Sequence, residues 1–121
     1  MMLAKIILPW PPSAMSPNGA HGHWSAKSSA AKAYKLACWA MCKAQGVRPV
    51  EADAVDVSLI FYPPSRRAYD LDNALARIKQ GLDAVAEAIG VDDSRWQAMH
   101  LERGERCKDG GVIVLIHEVT A

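Results

Sequence analysis

The chain has 121 residues, of which 50% are apolar and 22% charged, and its formal net charge is +1. This composition excludes a disordered chain and is typical of one globular domain, here residues 1–121. No apolar run approaches the ~20 residues that cross a bilayer, and the start lacks the pattern of a signal peptide. We therefore expect a cytoplasmic protein without a membrane partner.

The first half of the chain predicts a strand, a loop and a helix. Residues 2–8 form the strand, which the prolines of Pro9-Trp10-Pro11-Pro12 end because proline cannot donate to a strand ladder. Turn residues are dense in residues 13–25, so this segment is predicted as a loop. A helix is expected from Ser25 or Ser28 to about Gln45, before Gly46.

The second half predicts three strands and one helix. Apolar and polar residues alternate over 55–62, which has the period of a strand, and a helix is expected from about Asp72 to Ala88 with Gly90 as its cap. A polar strand over 95–103 and an apolar one over 112–116 are separated by a glycine-containing turn, which favours a hairpin. The order β-α-β-α-β-β predicts an α/β (α+β) domain with helices packed on a mixed sheet.

Carboxylates and cations are concentrated between residues 66 and 93. Asp70 and Asp72 converge if Asp72 begins the helix and Asp70 lies in an extended lead-in, where unpaired backbone N–H groups favour negative charge. Lys79 follows Asp72 by two helical turns and shares its face within about 20°. Asp93 comes after the far end of the helix, and the sequence leaves open whether it reaches the first pair.

These residue types suit metal-assisted phosphate chemistry. Carboxylate oxygens are ligands for a hard cation such as Mg²⁺ or Mn²⁺, and Lys79, Arg66 and Arg67 offer positive charge to an anion. Each residue also has a purely structural interpretation. Either Asp70 or Asp72 could cap the helix, Asp92-Asp93-Ser94 could form a turn, and Lys79 could pair with Asp83 one turn later.

Other polar and aromatic residues favour structural roles. Cys38 and Cys42 share one helix face and, with Cys107, are interpreted as reduced core residues rather than as half of a zinc site. The histidines His21 and His23 are interpreted as loop residues rather than metal ligands. The tryptophans are expected in the core or at a dimer contact, with Trp24 as the best exception for base stacking.

The sequence resembles the RusA family of Holliday-junction resolvases, small dimeric endonucleases found largely in phages and prophages. The resemblance spans nearly the whole chain. The matching motifs are Leu8-Pro9-Trp10-Pro11-Pro12-Ser13, Arg66-Arg67, Asp70-Leu71-Asp72-Asn73, Lys79 with Leu82-Asp83, and Gly90-Val91-Asp92-Asp93-Ser94.

The resemblance implies a homodimer that binds four-way junction DNA and resolves it by paired symmetric nicks during recombination and repair. Its catalytic and metal-binding acids fall on Asp70, Asp72 and Asp93, which would hold Mg²⁺ or, in its place, Mn²⁺, and its catalytic lysine falls on Lys79. Phosphate contacts are expected from the cations Arg66, Arg67, Lys27, Lys32 and Lys35. The alternatives are a general metal-dependent nuclease or phosphohydrolase, or a non-catalytic DNA-binding relative.

The chain departs from the family pattern in two places. The best-known members carry the lysine four residues after the second acid, whereas Lys79 is seven residues after Asp72; both spacings keep the side chain on one helix face. Known members also continue with arginines up to the first acid, where this chain has Ala68 and Tyr69. The second departure puts the strength of DNA binding in question, not the chemistry.

Overall fold

The computed structural model describes residues 1–12 and 24–119. Within them the chain forms two helices, four strands and one short 3₁₀ turn. The bounds are β1 Met2–Leu8, α1 Trp24–Ala44, β2 Val55–Tyr62, α2 Leu71–Ile89, the 3₁₀ turn Asp93–Arg95, β3 Trp96–Arg103 and β4 Gly111–Glu118. The predicted order of elements is confirmed, and their ends differ from the prediction by a few residues.

The four strands form one mixed sheet in the order β1-β4-β2-β3. Strand β4 pairs antiparallel with both β1 and β2, whereas β2 and β3 are parallel. The predicted hairpin of β3 and β4 is therefore wrong. Val112 and Val114 of β4 are fully buried, which suits a strand between two others, while the polar β3 is largely exposed and lies at the sheet edge.

One face of the sheet packs against the helices. Alternate residues of β2, from Val55 to Phe61, are at most 1% exposed and belong to one core with buried residues of both helices. Burying each such side chain contributes roughly 1.5–3 kcal/mol. The helix α2 gives its apolar stripe to this core and ends where Gly90 adopts the left-handed conformation, with φ 73°.

Helices α1 and α2 approach closely at Gly81. A Cβ atom at this position would lie 3.0 Å from Cys38 Sγ and 3.0 Å from a ring carbon of Tyr34, so any larger residue would require these side chains to shift by a few tenths of an ångström. All three cysteines are free; Cys38 and Cys42 are buried in the core as predicted, whereas Cys107 is exposed, so its predicted place in the core is wrong. Burial raises the pKa of the Cys38 thiol to about 11, which keeps it protonated.

Neither described helix is long and apolar enough to cross a membrane. His21 and His23 lie outside the described residues, as does the side chain of Trp24.

Candidate functional site

The N-terminus of α2 has the backbone conformation on which the predicted convergence of Asp70 and Asp72 depends. Asp70 occupies the N-cap position in extended conformation, with φ −94° and ψ 143°, and Asp72 lies in the first helical turn. The Asp70 side chain makes no capping hydrogen bond. The Asp72 carboxylate accepts a hydrogen bond from the backbone N–H of the next residue, Asn73, at 2.9 Å. The Asp70 side chain therefore does not cap the helix. Both carboxylates are exposed and can accept a ligand.

A hollow runs along the flank of α2 that faces β3, and we call it the α2 groove. Its volume is about 400 Å³, and it contains an apolar floor between charged side chains. The lining residues are Asp72, Leu75, Ala76, Lys79, Leu82, Asp83, Asp93, Trp96 and Met99. Three of the four predicted catalytic residues thus line one groove, in which carboxylates outnumber the single ammonium group.

Lys79 lies in the α2 groove without an acidic partner. It is exposed, and among residues 1–12 and 24–119 neither Asp83 nor another carboxylate forms an ion pair with it. The alternative of a solvated Lys79–Asp83 pair is not what the structure shows. The ammonium group is therefore available to an anion that enters the groove between its two ends.

Asp93 lies far from Asp70 within one chain. Strands β2 and β3 are parallel, with Val55 opposite Trp96 and Phe61 opposite Arg103. Asp70 follows the end of β2, whereas Asp93 precedes the start of β3, so the two acids lie at opposite ends of strands that span about 20 Å. Within the described part of the chain, no three His, Cys, Asp or Glu residues form a group that could hold a metal.

The adjacent acids Asp92 and Asp93 have different roles. The Asp92 carboxylate accepts hydrogen bonds from the backbone N–H and the hydroxyl of Ser94, at 3.1 and 2.5 Å, and caps the 3₁₀ turn. These bonds lower the pKa of Asp92 below its ordinary value. The Asp93 carboxylate has no such partner in the described residues. The structure thus leaves the second acid, which the resemblance selects, free for a ligand.

The predicted phosphate-binding cations differ in their surroundings. Arg66, Arg67 and Lys32 are exposed. Lys35 donates to Glu87 of α2 at 3.0 Å, so its charge is already partly balanced. Lys27 belongs to α1, and its side chain lies outside the described part of the chain.

A second hollow, the Trp10 cleft, opens beside Asp70 and has a volume of about 530 Å³. It is enclosed by the end of β1, by the loop between β2 and α2, and by the first turns of α2. The lining residues are Trp10, Pro63, Pro64, Ser65, Arg67, Ala68, Tyr69, Asp70, Asn73 and Arg77.

Side chains of both helices form hydrogen bonds with the proline-rich segment after β1. These bonds hold Trp10 in the cleft. The Tyr34 hydroxyl of α1 donates to the Pro9 carbonyl at 2.6 Å. Arg77 of α2 donates to the carbonyl oxygens of Pro11 and Pro12, at 2.7 and 3.4 Å. Because these carbonyls end a strand and have no ladder partner there, the two helices satisfy them.

The sequence analysis did not assign Trp10, Tyr69 or Arg77 to the site. A usable signal was present, since Tyr69, Asn73 and Arg77 follow one another at intervals of four and share one side of α2 and its lead-in. Asn73 and Arg77 lie roughly 100–160° around the axis from Asp72 and Lys79. The contribution of Trp10 depends on the tertiary contacts of the proline segment, which the spacing does not reveal.

The fold and the site define a small α+β protein with a four-stranded mixed sheet and exposed carboxylates at the start of its second helix. No family model matches the chain. It is 36% identical over 122 residues to an uncharacterized protein of Xylella fastidiosa strain Temecula1, and the match covers 98% of this chain and 78% of the relative. The chain belongs to the same family as this Xylella protein.

Proposed function

We propose that the protein is a Mg²⁺-dependent endonuclease of the RusA type that resolves four-way DNA junctions. The observation that carries this proposal is the set of carboxylates at α2. Asp70 occupies the helix N-cap position without a side-chain capping hydrogen bond, Asp72 is exposed, and Lys79 follows on the same face with no acidic partner among the described residues. Structural roles alone leave these three charged groups unexplained.

The donor set suits a hard divalent cation. Exposed carboxylates supply oxygen ligands of the kind that Mg²⁺ and Mn²⁺ prefer. Asp70 and Asp72 of one chain would hold the ion at the start of α2. When bound, such an ion polarises the scissile phosphate and lowers the pKa of a coordinated water.

Asp93 joins this set if two copies of the chain pair about a twofold axis near the middle of the α2 groove. Asp72 and Asp83 are eleven residues apart on α2, which separates them by about 16 Å along the helix axis. Asp93 lies beside the Asp83 end, since both also line a smaller hollow there. A twofold rotation exchanges the two ends of the groove, so Asp93 of the partner subunit would face Asp70 and Asp72.

Such a dimer has two identical composite sites, which matches the two nicks needed to resolve a junction. In each site Lys79 would neutralise negative charge that develops on the phosphate oxygens during attack. Arg66 and Arg67, in the exposed loop before Asp70, would bind neighbouring phosphates without reading the bases. The dipole of α2, whose positive end lies at its first turn, would add to the positive potential at the reacting phosphate.

The activity is tested with four-way, three-way and linear duplex DNA in the presence of Mg²⁺. We expect symmetric nicks confined to the four-way junction and no cutting in EDTA. Cutting of linear duplex at an equal rate would contradict junction resolution and favour a general metal-dependent nuclease.

The Asp72→Asn variant separates catalysis from DNA binding. Loss of a metal-binding carboxylate removes several kcal/mol of transition-state stabilisation, so we expect roughly a 10³-fold lower cleavage rate with junction binding retained. Asp53→Asn, at an exposed position before β2, is the matched control and should cleave as the unmodified protein does. Equal cleavage by Asp72→Asn and the unmodified chain would remove the proposed site.

A further inference from the structure

The Trp10 cleft has walls that are fixed before any ligand binds. The Trp10 ring makes edge contacts with Tyr69 at 5.7 Å and with Phe61 at 6.2 Å between ring centroids. The Arg77 guanidinium lies 5.7 Å from the Trp10 ring centroid, and that of Arg103 lies 4.6 Å from the Tyr69 ring centroid. A ligand that enters the cleft therefore meets aromatic side chains already held in place, which lowers the entropic penalty of binding.

The cleft also carries an excess of positive charge, because two guanidinium groups line it against the single carboxylate of Asp70, and neither arginine forms an ion pair among the described residues. Arg77 is only partly exposed, and its hydrogen-bond partners are the neutral carbonyl oxygens of Pro11 and Pro12. Burial lowers the pKa of Arg77, as expected for a cation removed from water without an acidic partner. Arg67 lies on the opposite, loop wall of the cleft, exposed and without an ion pair in the described residues. An anion is the ligand that this pair of guanidinium groups would attract.

Aromatic walls together with two arginines suit a nucleotide. Its base would contact the aromatic wall, as unstacked bases do in single-strand-binding proteins, and its phosphate would lie between the arginines. A volume of about 530 Å³ is within the range of pockets that hold small organic molecules. A base inside a duplex is stacked on both faces and cannot enter, so the nucleotide must be unpaired.

We propose that the Trp10 cleft binds one unpaired nucleotide of the DNA, next to the phosphate held at Asp70 and Asp72. The inference rests on the proposed function, which positions the cleaved DNA strand at these two acids. It gives Tyr69 a role where the resembled family continues with arginine. A nucleotide drawn out of the stack at the strand-exchange point would place the adjacent phosphate at the acids, so junction structure and cleavage would be coupled through this cleft.

The first test asks whether the cleft recognises a base. Deoxynucleoside 3′,5′-bisphosphates are titrated into ¹⁵N-labelled protein in EDTA, with 2-deoxyribose 5-phosphate as the ligand without a base. We expect saturable shifts of the Trp10 indole and Arg77 Nε signals with the nucleotides, and of Arg77 alone with the sugar phosphate. Identical shifts with both ligands would overturn the proposal, because the cleft would then be an anion site only.

A cleft-filling variant tests the same point on DNA. Ala68 is exposed at the cleft wall, so Ala68→Trp fills the space without disturbing the core, and Ala44→Trp at the exposed end of α1 is the control. Four-way junctions with one abasic nucleotide, moved through the positions beside the exchange point, are bound in EDTA. We expect the unmodified protein and Ala44→Trp to bind one such junction about tenfold more weakly than the intact one. Ala68→Trp should bind both equally.

The two proposals fail in different ways. Normal junction cleavage with no effect of any abasic position overturns the nucleotide cleft and leaves the nuclease intact. Absence of junction cleavage with base-dependent shifts at Trp10 overturns the resolvase and leaves a nucleotide site. Thermal unfolding of both tryptophan variants, with unchanged midpoints, shows that either result concerns binding and not the fold.

Discussion

The two hollows beside α2 differ in charge although they adjoin the same helix start. The α2 groove contains three carboxylates and one ammonium group around an apolar floor. The Trp10 cleft contains two guanidinium groups and one carboxylate within aromatic and proline walls. Asp72 faces the first hollow and Asp70 the second. The start of α2 therefore lies between a hollow in which carboxylates predominate and a hollow in which guanidinium groups predominate, and the proposed metal-assisted phosphate chemistry would use both.

The hollows also differ in how firmly they are built. The cleft is held by hydrogen bonds from two helices to the proline segment and by ring contacts. The groove is closed on one side only by the exposed edge strand β3. A second copy of the chain against that edge would complete the groove, whereas the cleft needs no partner to have its shape.

The largest effect among the following tests is expected from Lys79→Gln in the groove. Loss of a positive charge that faces the reacting phosphate should lower the junction-cleavage rate roughly 10²-fold. Junction affinity should change little, because the loop arginines and the cleft remain. The control is Lys43→Gln, which removes an exposed lysine whose ammonium group lies 4.6 Å from the Trp39 ring centroid, away from the α2 groove. Single-turnover rates that fall equally in both variants would remove Lys79 from the chemistry.

Stability measurements compare the support of the Trp10 cleft with an ion pair between α1 and α2 that lines neither hollow. Arg77→Gln removes the hydrogen bonds that Arg77 donates to the partly buried carbonyl oxygens of Pro11 and Pro12. We therefore expect the free energy of unfolding to fall by about 2 kcal/mol. Lys35→Gln breaks an exposed ion pair with Glu87, and the loss should be ~0.5 kcal/mol. Urea unfolding measures both. A larger loss of unfolding free energy in Lys35→Gln than in Arg77→Gln would contradict the firm support of the Trp10 cleft.

The smallest effect is expected from Asp92→Ala, next to Asp93 at the far end of the α2 groove. Hydrogen bonds from Ser94 lower the pKa of Asp92 in the folded state, so the ionised carboxylate stabilises the fold above its unfolded pKa of about 3.9. That contribution is lost as the pH falls through the lowered folded pKa. In EDTA, the difference in unfolding free energy between the unmodified chain and Asp92→Ala should persist at pH 5 and shrink below about pH 4. A difference that grows on acidification would contradict this role.

Local sequence patterns predicted every helix and strand but not the order of the strands. The alternation in β2, the Gly90 cap and the position of Asp72 depend on neighbours in the chain. The hairpin of β3 and β4 was wrong because a glycine turn between two strands does not show which strand each one pairs with. Pairing followed burial instead, with the apolar β4 in the centre and the polar β3 at the edge.

The candidate site, like the fold, was predictable where it depends on residues that are close together in the chain. The acids at the start of α2 and Lys79 lie within ten residues, so helical geometry places them. The separation of Asp93 follows from the parallel pairing of β3 with β2, which is a tertiary property. The Trp10 cleft joins residues from β1 to α2 that are more than fifty positions apart in the chain, and only the folded structure brings them together.

The central claim is that the metal site is shared between two copies, and mixing two inactive variants tests it most directly. Asp72→Asn and Asp93→Asn are each expected to be inactive alone. If Asp93 is supplied across the dimer, each mixed dimer contains one site with both substitutions and one intact site, so co-refolding equal amounts should restore about a quarter of the unmodified rate of single-strand nicking. If each chain holds its own metal site, every site in the mixture carries a substitution and nicking stays absent, which would contradict the shared site.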